Sequence, residues 1–306
     1  MTENDPSLRY RGRFAPSPTG RLHFGSLVAA LGSWLIARHH DGEWLVRVED
    51  LDPPREVAGA ARQQLATLAS FGLVSDLPVV WQSARHDLYA DALSRLLRDG
   101  HAFPCPCSRS DLVATGGIHR HCIAPGPGRS AAVRLRVPDG TRVVFEDALQ
   151  GTFDQRVDLE VGDVVLRRAD GFWAYQLAVV VDDADQGITH IVRGSDLLDS
   201  TPRQILLQRA LGLTMPQYLH LPLIVDADGN KLSKSMASLP VDDDAPLPAL
   251  RAAWQALGQP AAVLDGLSNV ASVLHAAHRE FRPDRLPKVI SLTFAAAHNN
   301  PVAGAV

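Results

Sequence analysis

Two lysines stand three residues apart in "GNKLSKSMAS", residues 229–238, and the rest of the chain holds only Lys288, although Lys and Arg together number 30. An ammonium on a flexible stem is a compact charge that can follow a moving phosphate, whereas guanidinium is a broad planar fork. Lys231 and Lys234 are therefore candidates for holding phosphate, and the preceding "DADG" suits a loop that closes over a ligand. A second candidate lies far upstream. In "RFAPSPTGRLHFGS" a Pro- and Gly-containing turn presents His23 just as a helix begins. The open N–H groups and positive dipole end of a helix attract phosphate, and an imidazole placed there can donate to the same anion. Gly25 leaves room for a flat ring against the backbone. A third cluster is "CPCSRSDLVATGGIHRHC", which contains Cys105, Cys107 and Cys122, the entire cysteine complement. Thiolates and an imidazole in tetrahedral array suit a structural Zn²⁺. The fourth ligand is His119 or His121. His121 adjoins Cys122, which makes joint ligation awkward, whereas His119 lies three residues before it and has the easier bite.

Positioning such groups requires a scaffold. "RYRGRFA" (9–15) reads as a strand, and residues 22–40 carry apolar positions 24, 27, 28, 31, 34 and 35 at helical spacing. "DGEWLVRVED" is a turn and a second strand, and the next segment is a loop and a helix stopped by Gly72. Strand, helix, strand, helix implies a parallel sheet with helical crossovers. Residues 101–171 break the rhythm: they hold all the cysteines and short strand-like runs such as "AAVRLRV" and "TRVVFED", and read as an insertion. The α/β pattern resumes from residue 172. Beyond residue 240 the chain is Ala/Leu-rich and reads as a short helical C-terminal appendix. The expected organisation is a catalytic domain over 1–240, with the zinc-bearing insertion at about 101–171, and a helical region over 241–306.

The totals limit the function. Apolar content of 46% and charged content of 21% are those of an ordinary globular protein. No run of about 18 apolar residues predicts a membrane span, and the polar N-terminus lacks a secretory h-region, so a cytoplasmic protein is expected; a monomer is the separate expectation for its assembly. A formal net charge of −4 means that nucleic acid, if bound, meets a local basic face. The candidates are Arg134, Arg136, Arg167, Arg168, Arg279, Arg282 and Arg285.

"HFGS" and "KLSKS" together resemble the HIGH and KMSKS signatures of class I aminoacyl-tRNA synthetases. "RFAPSPTGRLHFG", "RVEDLDPPRE", "AYQLAVVVDD" and "IVRGSDLL" narrow the resemblance to the glutamyl branch, in order along residues 9–240. Ser26 stands where the generic motif has a second histidine. The resemblance implies a Rossmann-like α/β fold that forms glutamyl-adenylate from L-glutamate and ATP with Mg²⁺, with His23, Lys231 and Lys234 at the ATP. It also implies a glutamate pocket walled by Arg13, Phe14, Ala15, Pro16 and Ser17, with Glu49 facing the substrate ammonium and Tyr175 and Arg193 completing it. Arginine is suited to a buried carboxylate partner. In short members of the branch a zinc sits in the insertion, with a tyrosine where this chain has His119.

Residues after 240 are too few for the region that reads the anticodon in full-length members. The resemblance is therefore to truncated members, which attach glutamate to queuosine in the anticodon loop of tRNA(Asp). Two alternatives remain at this level: a minimal enzyme charging tRNA(Glu) at its 3′ end, and a non-catalytic zinc-dependent RNA-binding module.

Overall fold

The computed structural model describes residues 9–123, 128–226, 229 and 241–293. Lys231 and Lys234 lie outside the described residues. The chain begins with strand β1 (Arg11–Phe14), helix α1 (Phe24–His39), β2 (Glu43–Val48), α2 (Ala60–Ser70), β3 (Val80–Trp81) and α3 (His86–Arg98). Strands β1, β2 and β3 pair in parallel, with Arg11 opposite Glu43 and Val48 opposite Trp81. Next come β4 (Ala102–Cys105), β5 (Ala132–Leu135), β6 (Arg142–Asp147), β7 (Gly151–Arg156), the short α4 (Val157–Glu160) and β8 (Val164–Arg167). The doubly wound pattern then resumes with α5 (Tyr175–Asp185), β9 (His190–Gly194), α6 (Thr201–Leu211), β10 (Gln217–Leu221) and β11 (Leu223–Val225). The tail supplies α7 (Pro246–Ala256), α8 (Val270–Glu280) and β12 (Ser291–Thr293).

Strand β10 pairs in parallel with β9 along its whole length and with β6 at Tyr218 opposite Asp147. The start of β9 lies beside β1: Thr189 N–H donates to the Arg11 carbonyl at 3.0 Å. The first chain segment thus runs outward from β1 through β2 to β3, and the later segment runs outward from β9 through β10 to β6. Their junction is the topological switch point of a parallel sheet, where ligands bind outside the carboxyl ends of the strands. Helix α1 covers one face together with α7 and α8; Leu27, Leu31, Leu35, Trp254 and Phe281 are buried there. The opposite face is covered by α3, α5 and α6 through residues such as Tyr89, Leu177 and Ile205. Gly32 lets α1 approach β10 closely, since a Cβ there would lie 2.6 Å from Leu221 Cδ1.

Residues 101–171 divide into two parts. Strands β4, β5 and β8 form an antiparallel sheet that carries the small cluster of Cys105, Cys107 and Leu112. The β6–β7 hairpin instead extends the parallel sheet through β10. The tail is also more than helical: β12 pairs in parallel with β11, Leu223 opposite Ser291. A three-residue strand with one buried side chain, Leu292, has no periodicity to betray it.

Candidate active site and metal centre

The carboxyl ends of β1 and β9 open into a cleft of about 730 Å³. Arg13, Phe14, Ala15, Pro16, Ser17, His23, Glu49, Tyr175 and Arg193 all line it. The turn after β1 is fixed from two sides. Glu49 N–H donates to the Pro16 carbonyl at 3.0 Å, and Gln64 of α2 donates to the carbonyls of Ser17 and Gly20 at 3.1 and 2.7 Å.

His23 is the N-cap of α1. Its Nδ1 accepts from Ser26 N–H at 3.3 Å, so Nε2 carries the proton, and Nε2 lies 3.1 Å from Ser26 Oγ. Ser26, where the generic signature has histidine, here steadies the imidazole. A Cβ on Gly25 would lie 3.4 Å from two atoms of that ring, and both residues line the cleft.

Beneath the cleft lies a buried ionic cluster. Arg13 makes a bidentate pair with Asp183 at 3.0 and 3.1 Å. Arg47, fully buried, also contacts Asp183 at 2.8 Å and lies 3.5 Å from Glu49. Asp183 therefore serves two guanidinium groups, and its carboxyl is held below the ordinary range: burial pushes it up, and Arg13 and Arg47 more than reverse this. Glu49 is treated differently. Burial pushes its carboxyl up to about 7, overriding the pull of Arg47 and Arg13, and Asp183 and Asp182 add to the rise. Its Oε1 accepts no hydrogen bond among the described residues.

Arg193 is also buried, at 5% exposure, yet its partners are neutral. Nη2 donates to Thr201 Oγ1 at 2.8 Å and to the Leu197 carbonyl at 3.3 Å. Nη1 donates to Tyr175 Oη at 3.4 Å, and Nε donates to His220 Nε2 at 3.1 Å. His220 in turn donates from Nδ1 to Asp147 Oδ2 at 2.6 Å. Burial and the nearby Arg193 cation lower the imidazole's pKa, and the Asp147 hydrogen bond does not reverse this. Only an unprotonated Nε2 can accept from Arg193 Nε–H.

The cysteine cluster assembles with His119. One ligand atom from each of Cys105, Cys107, His119 and Cys122 lies within 4.8 Å of the others. Cys105 Sγ is 3.1 Å from His119 Nε2 and 3.6 Å from Cys122 Sγ. Zinc–sulfur bonds of about 2.3 Å at tetrahedral angles imply S–S edges of about 3.8 Å, so this Cys₃His set is compatible with a zinc site. His119 is buried, whereas His121 is exposed. The His119 ring is oriented by Asp163, which lies 2.8 Å from Nδ1, an outer partner of the kind that fixes a metal-binding tautomer. Gly162 brings that acid in: its φ is +70°, and a Cβ would lie 2.4 Å from the His119 carbonyl.

Arg134, read from the sequence as a nucleic-acid contact, is 7% exposed and donates to the carbonyls of Asp163 and Cys107. It braces the cysteine cluster from below, because β5 runs through the middle of its small sheet. Arg136, Arg167, Arg279, Arg282 and Arg285 are exposed, and Arg168 is half-buried. Arg47, Asp183, His220, Asp147 and Asp163 support the site without being among its sequence-predicted residues. A signal existed for one of them: "VVVDD" places adjacent acids at the end of an apolar helical run, where a buried acid needs a cation.

A family model described as tRNA synthetases class I (E and Q), catalytic domain, matches residues 9–121 and 124–247. The chain belongs to that family. It is a ligase of the aminoacyl-tRNA synthetase type. Among curated relatives, the Glutamyl-Q tRNA(Asp) synthetase of Xanthomonas campestris pv. campestris (strain 8004) is 66% identical over 295 residues, covering 96% of this chain and 99% of the relative. The protein of the same name from Burkholderia cenocepacia (strain J2315) is 57% identical over 262 residues, covering 81% and 88%. Among solved structures, glutamate-tRNA synthetase from Elizabethkingia anophelis aligns with a TM-score of 0.77 at 24% identity, covering 94% of this chain and 68% of that one. A glutamate tRNA ligase from Elizabethkingia meningosepticum in complex with its amino acid gives 0.74 at 23%, covering 92% and 66%. These structures show that the class I fold is shared. Among the described residues, no helix is long and apolar enough to cross a membrane.

Asp183 is the keystone of the ionic cluster, and Asp183→Asn leaves Arg13 and Arg47 short of a buried counter-charge. Breaking such a pair costs about 3–5 kcal/mol. Urea unfolding of the variant is expected to show a loss of that order, with a midpoint well below that of the parent.

Proposed function

We propose that the protein activates L-glutamate with ATP and transfers the glutamyl group to queuosine in the anticodon loop of tRNA(Asp). One observation carries the amino-acid half. The cleft presents a buried guanidinium with neutral partners, Arg193, and a buried carboxylate, Glu49, whose Oε1 accepts no hydrogen bond among the described residues. An amino acid with an acidic side chain complements both, placing its side-chain carboxylate on Arg193 and its ammonium on Glu49. Arg13, Tyr175 and the turn from Phe14 to Ser17 complete the enclosure. Glutamine would leave the guanidinium without a counter-charge, and such a mismatch gives strong discrimination.

In the first step an oxygen of the substrate α-carboxylate attacks the α-phosphorus of ATP, and pyrophosphate leaves. His23 Nε2–H, at the open end of α1, donates to the phosphates. Lys231 and Lys234 neutralise the departing charge, the kind of electrostatic stabilisation that commonly dominates such chemistry. Mg²⁺ screens the phosphates when bound. In the second step a hydroxyl of the queuosine cyclopentene diol attacks the carbonyl carbon, the mixed anhydride breaks, and AMP leaves.

The acceptor half rests on the relatives named Glutamyl-Q tRNA(Asp) synthetase, whose matches cover 96% and 81% of this chain. A second cavity, about 850 Å³, supports it. It shares Ser17, Glu49 and Tyr175 with the first cleft and extends past Trp173 toward Cys107. A nucleoside entering there meets the activated carboxyl from the side of the ammonium. Cys105, Cys107, His119 and Cys122 would hold one zinc per chain, and four protein ligands would make its role structural. ATP and tRNA as substrates fit a cytoplasmic protein; the reading takes it as a monomer, with 1–240 as the catalytic domain and 241–306 as its C-terminal extension.

The test of the acceptor compares tRNA(Asp) from cells able and unable to make queuosine. Labelled glutamate is expected on the first alone; equal transfer to both, or efficient charging of tRNA(Glu), would reject the reading. The Glu49 carboxyl, pushed up to about 7, must be ionised to hold the ammonium. The glutamate KM is therefore expected to rise as pH falls below about 7 and to level off above it. In Glu49→Gln the KM should be high and flat with pH. Metal analysis is expected to find one zinc per chain, retained less well in His119→Ala than in His121→Ala.

A further inference from the structure

We propose that Asp147 and His220 are positioning residues that aim Arg193 at the substrate's side-chain carboxylate while keeping a protein carboxylate off it. The inference rests on the glutamate reading above. Two arginines in the cleft show the alternatives. Arg13 meets Asp183 directly through two hydrogen bonds, so its charge is answered by the protein. Arg193 meets Asp147 only through an imidazole: Nε donates to His220 Nε2, and His220 Nδ1–H donates to Asp147.

The interposed ring has two consequences. Asp147 is tied to the guanidinium through the imidazole that bonds to both. It is also too far away to form the bidentate pair that an incoming carboxylate would have to displace. Asp147 itself cannot swing across. It accepts from His220 N–H at 3.2 Å, from Leu149 N–H at 3.0 Å and from Gln150 N–H at 2.9 Å, besides the His220 ring. With Nε spent on His220 and Nη2 on Thr201 and Leu197, the fork is locked so that Nη1 stands beside Tyr175 Oη at the cleft wall. A Nδ1–H tautomer is required throughout, because a proton on Nε2 would oppose the Arg193 Nε–H. The acid that enforces it comes from β6, the strand through which residues 101–171 join the parallel sheet.

The experiment measures glutamate-dependent pyrophosphate exchange for the parent, His220→Leu and His220→Gln. His220→Leu removes the acceptor and is expected to raise the glutamate KM about tenfold or more, the worth of a hydrogen bond to a charged group. The ATP KM should stay at the parental value, and discrimination against glutamine should narrow. His220→Gln, whose side-chain carbonyl can accept from Arg193, should recover part of the loss. A folded His220→Leu variant with parental glutamate KM, or with glutamate and ATP KM rising together, would overturn the proposal. Nitrogen NMR of the parent imidazole gives a readout that needs no variant to fold: Nδ1 should carry the proton and Nε2 none, and the opposite tautomer would also overturn it. A parent with no glutamate-dependent exchange would reject the functional reading instead, while the tautomer would still report on the His220 geometry.

Discussion

Charge burial beneath the switch point is the constraint on which the rest depends. Arg13, Arg47 and Arg193 are each 5% exposed or less, and a buried charge is tolerated only when paired or richly hydrogen-bonded. The protein satisfies the first two with Asp183, placed after the apolar run of α5. It satisfies the third with neutral acceptors and leaves the ionic pairing to come. Glu49 is the complementary case, a carboxyl pushed up to about 7 because burial outweighs the cations below it. A cleft built this way holds two separated, under-compensated charges of opposite sign at fixed positions. On the proposed reading, that is a recognition surface for a zwitterion with an acidic side chain.

Fold and site are linked through strand ends. Arg13 lies on β1, Arg47 on β2, Arg193 on β9 and His220 on β10. Parallel pairing places Arg193 directly opposite His220, so the register of two strands sets the bond between their side chains. Helix α1 starts beside this row and offers His23 at its open end. The cysteine-bearing sheet has a separate core, and a cavity lined by both Cys107 and Glu49 borders it and the centre.

Much of this was legible in the sequence, and the reasons differ by residue. His23, Glu49, Tyr175 and Arg193 sit in ordered motifs whose resemblance to the glutamyl branch names them, and all four line one cleft. The cysteines announce themselves by clustering, and His119 by its spacing to Cys122. What stayed hidden were partners defined by tertiary contact alone. Asp147 and His220 are 73 residues apart and meet because β6 pairs with β10. Asp163 reaches His119 across 44 residues through the backbone approach that Gly162 permits. Arg134 was misjudged because an arginine in an alternating strand reads equally well as solvated or inward. Neither β12 nor the sheet role of β6 leaves a periodic trace, since each depends on a few pairing residues.

The central claim is that Arg193 is a cation waiting for a substrate carboxylate. The most direct measurement is ATP–pyrophosphate exchange by the parent protein across a panel of glutamate, glutamine, aspartate and norvaline. The account predicts exchange with glutamate and essentially none with glutamine, its near-isosteric neutral counterpart. Comparable exchange with glutamine would contradict it, because a guanidinium lacking a counter-charge could not then be what selects the substrate.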